Sequence, residues 1–321
     1  MKLSIKMINM RFIFSLLIAE LTLSFFLFTP YPSFSEETSK EVSREAWILL
    51  EKGKEFLEEK EYGKALNLFQ NALNRKRGIY PEAEMFIGDV FFLEGEYDLA
   101  IFHYQNAYKL VNAFTIPSDK YVLLYRMAAL YLQKKNYKDM AEKLNEIVSD
   151  SSLNKNMDMK NLQFKILSLY GRGGLNEVLK LYRFNENFTI DAYNQLGWFY
   201  YKTGRYRAAI SSFLFSSISV LSNSIDYIRE KDPDYSFENL YSLISVSLKY
   251  KSLSDYFSRY NLFGCLYELG AASYAYDYIK PARSIWKLLT NFKEAGKYRN
   301  LAERQLSNPW KEPYLENIRI K

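Results

Sequence analysis

One spacing, repeated along the chain, constrains the fold more than any other feature. Counted from Gly197, an aromatic stands at +3 (Tyr200), a tyrosine at +9 (Tyr206), an alanine at +12 (Ala209), an aromatic at +16 (Phe213) and a small residue at +19 (Ser216). The same offsets from Gly53 reach Phe56, Tyr62, Ala65, Phe69 and Ala72; from Gly88 they reach Phe91, Tyr97, Ala100, Tyr104 and Ala107. From Ala128 they reach the bulkier set Tyr131, Tyr137, Met140, Leu144 and Ile147. Steps of three and four residues share a helix face, and Gly204 interrupts the period, so each copy reads as two short helices folded together through a tight turn. The small residues are expected where the helices cross, with the aromatics filling the space on either side. A single hairpin cannot bury its own apolar face, so the copies must stack.

The first three origins lie 35 and 40 residues apart, and the 69 residues between Ala128 and Gly197 leave room for a degenerate unit carrying Leu167, Tyr170, Val178 and Tyr182. Its turn would hold the glycine cluster Gly171-Arg172-Gly173-Gly174. The pattern resembles the tetratricopeptide repeat family, whose unit is a helix-turn-helix of about 34 residues. The resemblance implies an all-α, right-handed solenoid of about five repeats over residues 46–217. No stretch alternates with strand periodicity, and 17% aromatics with few Gly and Pro suit helices wedged apart by rings.

Beyond the repeats, residues 218–306 read as a helical extension. Residues 222–230 prolong the preceding helix, 231–234 form a loop and 237–250 another helix. A degenerate sixth hairpin with a widened turn follows, with Gly264 and Tyr267 on its first helix and Ala282, Trp286 and Leu289 on its second, where Pro281 suits the first turn. Residues 296–306 close the helices and 307–321 read as an extended tail.

Residues 1–35 open with Lys2, Lys6 and Arg11 and continue through an apolar run interrupted by Glu20, ending in Ser33-Phe34-Ser35. This is the pattern of a cleaved signal peptide or of an amino-terminal membrane anchor, and either places the remainder outside the cytoplasm. Residues 36–45 are polar and read as a flexible lead-in.

Catalytic chemistry finds little footing. His103 is the single histidine, one position before the wedge residue Tyr104, and Cys265 is the single cysteine. One of each excludes the usual zinc sets and an internal disulfide, and disfavours His-assisted nucleophilic catalysis. No phosphate-cradling glycine loop is present. No enzyme activity, cofactor or metal is therefore expected, and Cys265 suits a buried, inert position.

What remains is a binding surface. The resemblance implies that first helices line a concave groove through positions beside the crossing residue and one turn to either side. These are Leu50 and Lys54; Met85, Asp89 and Phe92; Tyr125, Ala129 and Leu132; and Asn194, Trp198 and Tyr201. From them Lys54, Met85, Asp89, Phe92, Tyr125, Asn194, Trp198 and Tyr201 form the predicted partner-binding set. The lysine and asparagine four residues apart that clamp a ligand's terminal carboxylate in one subclass are missing: the equivalent pairs are Leu50/Lys54, Met85/Asp89 and Asn194/Trp198. Exposed Trp, Tyr and Met are residues that anchor interfaces. The expected function is thus an envelope scaffold holding a partner peptide or helix. Charge supplies the rival: residues 36–112 carry a net −5 and residues 113–321 a net +9, so the basic half could attract an anionic wall or membrane polymer. No basic-aromatic groove of the nucleic-acid-binding kind stands out, and nucleic acid is not an expected partner.

Overall fold

In the computed structural model, residues 34–151, 158–312 and 315 are described; the segment expected to be a signal peptide or anchor lies outside them, apart from its last two residues. They form fourteen α-helices and no strand. The chain divides into two compact units, Met1–Phe114 and Thr115–Lys321.

The first unit holds α1 (Phe34–Glu58), α2 (Tyr62–Arg75), α3 (Pro81–Leu93) and α4 (Tyr97–Lys109). Helices α1 and α2 fold into one hairpin, α3 and α4 into a second, and α3 packs on α2. The Phe69 and Phe86 rings stack at 5.4 Å across that junction, over a core that includes Ala46, Leu50, Ala65, Ala83 and Ile87. Residues 36–45, expected to be flexible, instead belong to the first half of α1. The end of α2 reaches back to them: Arg75 Nη1 lies 2.6 Å from Glu45 Oε2, and Lys76 Nζ donates to Ser43 Oγ at 2.7 Å.

The second unit holds α5 (Asp119–Gln133), α6 (Tyr137–Ser149), α7 (Met159–Leu181), α8 (Ile190–Lys202), α9 (Tyr206–Lys231), α10 (Leu240–Ser247), α11 (Lys251–Arg259), α12 (Leu262–Ala275), α13 (Ile279–Leu289) and α14 (Lys297–Ser307). Three hairpins, α5–α6, α8–α9 and α12–α13, pack in succession, with α6 against α8 and α9 against α12, and α14 closes on α13. The segment expected to be a repeat between the first two hairpins is not inserted in this succession. It is α7, kinked where Gly174 takes φ 73°, and it lies against α9 and α13. The Gly171-to-Gly174 cluster thus does make a turn, but α6 and α8 pack directly on each other.

The repeated spacing acquires its reason from four shared features. Across the five hairpins, the residue at +7 is left-handed: Lys60, Gly95, Lys135, Gly204 and Asp277 all have positive φ. The next N–H (Glu61, Glu96, Asn136, Arg205, Tyr278) donates to the +3 carbonyl (Phe56, Phe91, Tyr131, Tyr200, Ser273) at 2.8 Å each time. This is the Schellman closure that satisfies a helix's last carbonyls. The second helix begins at +9 in every case, at Tyr62, Tyr97, Tyr137, Tyr206 and Ile279. Residues at +12, +16 and +19 are buried in all five.

The origin is small for a reason that differs from the expected one. A Cβ on Gly53, Gly88, Gly197 or Gly270 would lie under 3 Å from the side chain of Phe69, Tyr104, Phe213 or Trp286. A ring at +16 lies against the glycine, so smallness admits an aromatic as well as a neighbouring helix. Where the origin is Ala128, the +16 residue is Leu144, fully buried. The fifth hairpin therefore starts from Gly270, not Gly264, whose Cβ would meet the Asn261 side chain. Counted from Gly270, the spacing to Ala282, Trp286 and Leu289 needs no widened turn.

Helix α9 runs through residue 217, the expected end of the repeats, for 26 residues. Among the described residues it is the one helix long and apolar enough to cross a bilayer, but 83% of its apolar window is buried within the fold. It is a core helix, apolar or small all round from Ala208 to Ser222. Two of its hydroxyls have partners: Ser224 Oγ donates to Val220 O at 2.9 Å, and Ser217 Oγ lies 3.3 Å from Cys265 Sγ. Burial pushes the Cys265 thiol up to about 11, which keeps it protonated and inert.

Candidate functional site

The eight residues expected to line one groove have different surroundings. Lys54 pairs with Glu51 at 2.7 Å and its ammonium lies 5.0 Å from the centre of the Phe86 ring. Met85 is buried, because α3 is covered by α2 on one side and α4 on another. Asp89 accepts the Tyr104 hydroxyl at 2.7 Å. Phe92 is half-buried, 5.8 Å from the Tyr97 ring. Tyr125 is a brace: its hydroxyl donates to Phe188 O at 2.6 Å and accepts the Ala192 N–H at 2.9 Å, and desolvation raises its pKa. Tyr201, expected to be exposed, is 2% exposed. The tail covers it, with the Glu312 N–H donating to its hydroxyl at 3.2 Å, Lys202 paired with Glu312 at 2.6 Å and the Leu315 N–H donating to Lys202 O.

Asn194 and Trp198 remain, and the second unit brings them together. They line a cleft of about 390 Å³ between first helices. Asn194, Gln195 and Trp198 come from α8, Glu268 from α12 and Tyr298 from α14, with Leu132 and Met140 from the preceding hairpin as apolar wall. Trp198 is half-buried, its ring 6.1 Å from that of Tyr137. The side-chain amides of Asn194 and Gln195 make no hydrogen bond among the described residues, which leaves donors and acceptors at the cleft surface.

Glu268 is the member that the sequence did not reveal. Its Oε2 is buried without a hydrogen-bond partner. Desolvation, reinforced by the Glu312 carboxylate and offset by Lys202 and Lys297, pushes its carboxyl up to about 7. Once Gly270 is taken as the origin, Glu268 stands at −2, the position held by Gln195 two residues before Gly197. The −2 residues Glu51, Phe86, Arg126, Gln195 and Glu268 are all half-buried. That is the signal in the sequence: the −2 position had to be counted, and from the right glycine.

A larger cleft, about 620 Å³, lies between α7 and the start of α9. It is lined by Lys160, Phe164, Arg205, Arg207 and Tyr276 among others. Arg205 stacks its guanidinium 4.6 Å from the Tyr200 ring centre, and its Nε donates to Thr203 Oγ1 at 3.3 Å. His103, by contrast, sits in the first unit with Nδ1 2.7 Å from Glu84 Oε2, half-buried beneath the stacked Phe91 ring.

No protein-family model matches the chain. It is similar to a protein of Borreliella burgdorferi, described as uncharacterized, at 29% identity over 83% of this chain and 90% of the relative. It is also similar to an uncharacterized protein of Treponema pallidum, at 25% identity over 61% of this chain and 51% of the relative, so it spans about half of that protein's length. The relatives are spirochete proteins, and none of these names carries an activity.

Proposed function

We propose that this chain is a non-catalytic interaction scaffold of tetratricopeptide-repeat type, exported to the bacterial cell envelope, that holds a segment of a partner polypeptide. The five hairpins with one turn and one start for the second helix, four of them with a glycine against a ring, support the repeat assignment. The basic start and apolar run of residues 1–33 support export. The observation that carries the function is the cleft of the second unit, where the unpartnered Asn194 and Gln195 amides flank the half-buried Trp198 ring. Amides that can both donate and accept suit a peptide backbone, and an aromatic ring with apolar walls suits its side chains.

The test is a photoreactive benzoylphenylalanine in place of Trp198, illuminated in living cells beside the same group in place of the exposed Lys138. A single adduct at 198, mapped by mass spectrometry to one segment of one protein, is the expected result. Adducts no more abundant or specific than those from position 138 would remove the cleft from consideration.

A second reading has its own observation. Lys160, Arg205 and Arg207 around the larger cleft favour an anionic wall or membrane polymer. Binding of that kind weakens steeply with salt, whereas the cleft at Trp198 should tolerate it.

A further inference from the structure

We infer that the cleft takes a basic side chain of the bound segment, a lysine ammonium or an arginine guanidinium, against the carboxylate of Glu268. This rests on the polypeptide-binding role proposed above and names the chemistry of its anchor.

Three observations lead to it. First, Glu268 is sunk into the fold with Oε2 buried and unpartnered, a costly state for a carboxylate unless something outside the fold relieves it. Second, the cations that act on it do so from other engagements. Lys202 on α8 is paired with Glu312 at 2.6 Å, and Lys297 on α14 holds its ammonium 5.0 Å from the Tyr298 ring centre. Glu312, from the tail, adds a second negative charge beside Glu268. Third, the remaining walls are those a cation recognises. Trp198 and Tyr298 offer aromatic rings, Asn194 and Gln195 offer amide oxygens, and Leu132 and Met140 offer an apolar path for a methylene stem. No lysine or arginine lines this cleft.

The pH dependence follows with its sign. Burial holds Glu268 about half protonated near pH 7. A cation engages the ionised form, so binding strengthens as pH rises from 6 to 8. A ligand carbonyl accepting from the protonated carboxyl would weaken over the same range.

The experiment uses the full chain and immobilised dodecapeptide pools that are random except at one position, held as Lys, Arg, norleucine or Glu, each made with free and with acetylated amino termini. The expected result is at least tenfold greater retention of Lys and Arg pools than of norleucine pools, whether acetylated or not, and greater at pH 8 than at pH 6. Glu268→Gln, which keeps the side-chain shape, should bring the pools within twofold of one another without lowering the melting temperature. Undiminished preference in Glu268→Gln, a best norleucine pool, or retention that requires a free amino terminus would overturn the inference. Trp198→Ala separates the two layers. It should lose every pool alike, and pools that bind it as well as the parent, or an absence of binding to any pool by the parent, would overturn the polypeptide-binding role itself.

Discussion

Glycine and ring at +0 and +16 act as one unit of packing, and the variation in the third hairpin shows the exchange that keeps it filled: Gly with Phe, Tyr or Trp, Ala with Leu. Gly53→Ala alone should push its methyl into Phe69 and destabilise the first unit by about 1–3 kcal/mol. Phe69→Leu alone should leave a void costing about 1 kcal/mol. The double variant, which copies Ala128 and Leu144, should be more stable than the sum implies by about 1 kcal/mol, measured by chemical denaturation of all four proteins. At +7 the requirement is conformational. Gly95 has open space around its missing Cβ, so Gly95→Ala should cost about 1–2 kcal/mol through the left-handed backbone alone. Lys135→Gly, at an exposed position with φ 56°, should raise the melting temperature for the same reason. Glu268 behaves in the opposite sense to a paired carboxylate. Its folded pKa, about 7, lies above the unfolded value, so the folded state holds the proton more tightly. Its contribution is neutral below the unfolded pKa and becomes unfavourable as pH rises toward 7. Glu268→Gln should therefore leave stability near pH 4 unchanged and raise it at pH 8, by on the order of 3 kcal/mol at most.

Elements that look alike in sequence are used differently once packed. Helix α9 begins as the second helix of a hairpin and then continues, because α7, α10 and α12 all lie against it and leave little of it for water. The tail illustrates the reverse: residues 308–312 have no helical period, yet their hydrogen bonds to Gln305, Tyr201 and Lys202 hold them across the end of α8. Deleting residues 308–321 should expose Tyr201, remove the Lys202–Glu312 pair and speed hydrogen exchange in the last turn of α8, with little change in α5 or α6. Uniform acceleration throughout the second unit would show instead that the tail stabilises the whole unit. The hairpins whose second helices start at Tyr62, Tyr97, Tyr137 and Tyr206 were legible in the sequence because each depends on residues within about twenty positions. The place of α7 was not, since a helix pattern carries no address for the partner that covers it.

At the scale of the molecule, the division into two units implies that destabilisation stays local, as expected where each hairpin is supported mainly by its neighbours. The Gly53→Ala variant should lose amide protection in α1 to α4 while α8, α9 and α12 keep theirs, read by hydrogen exchange with peptide resolution. The candidate site belongs to the second unit, where residues from α5, α6, α8, α9, α12 and α14 converge on one cleft.

The spacing of small and aromatic residues by itself determined an all-helical chain of paired helices, because period and turn are local properties of the backbone. The family resemblance, rather than the spacing itself, named Asn194 and Trp198, which line the cleft. Tertiary structure decided the rest. It buried Met85 between helices and Tyr201 beneath the tail, made Tyr125 a brace, and set Glu268 unpartnered beside Trp198. Exposure depends on what covers a face, and the covering residues here come from segments tens to more than a hundred positions away.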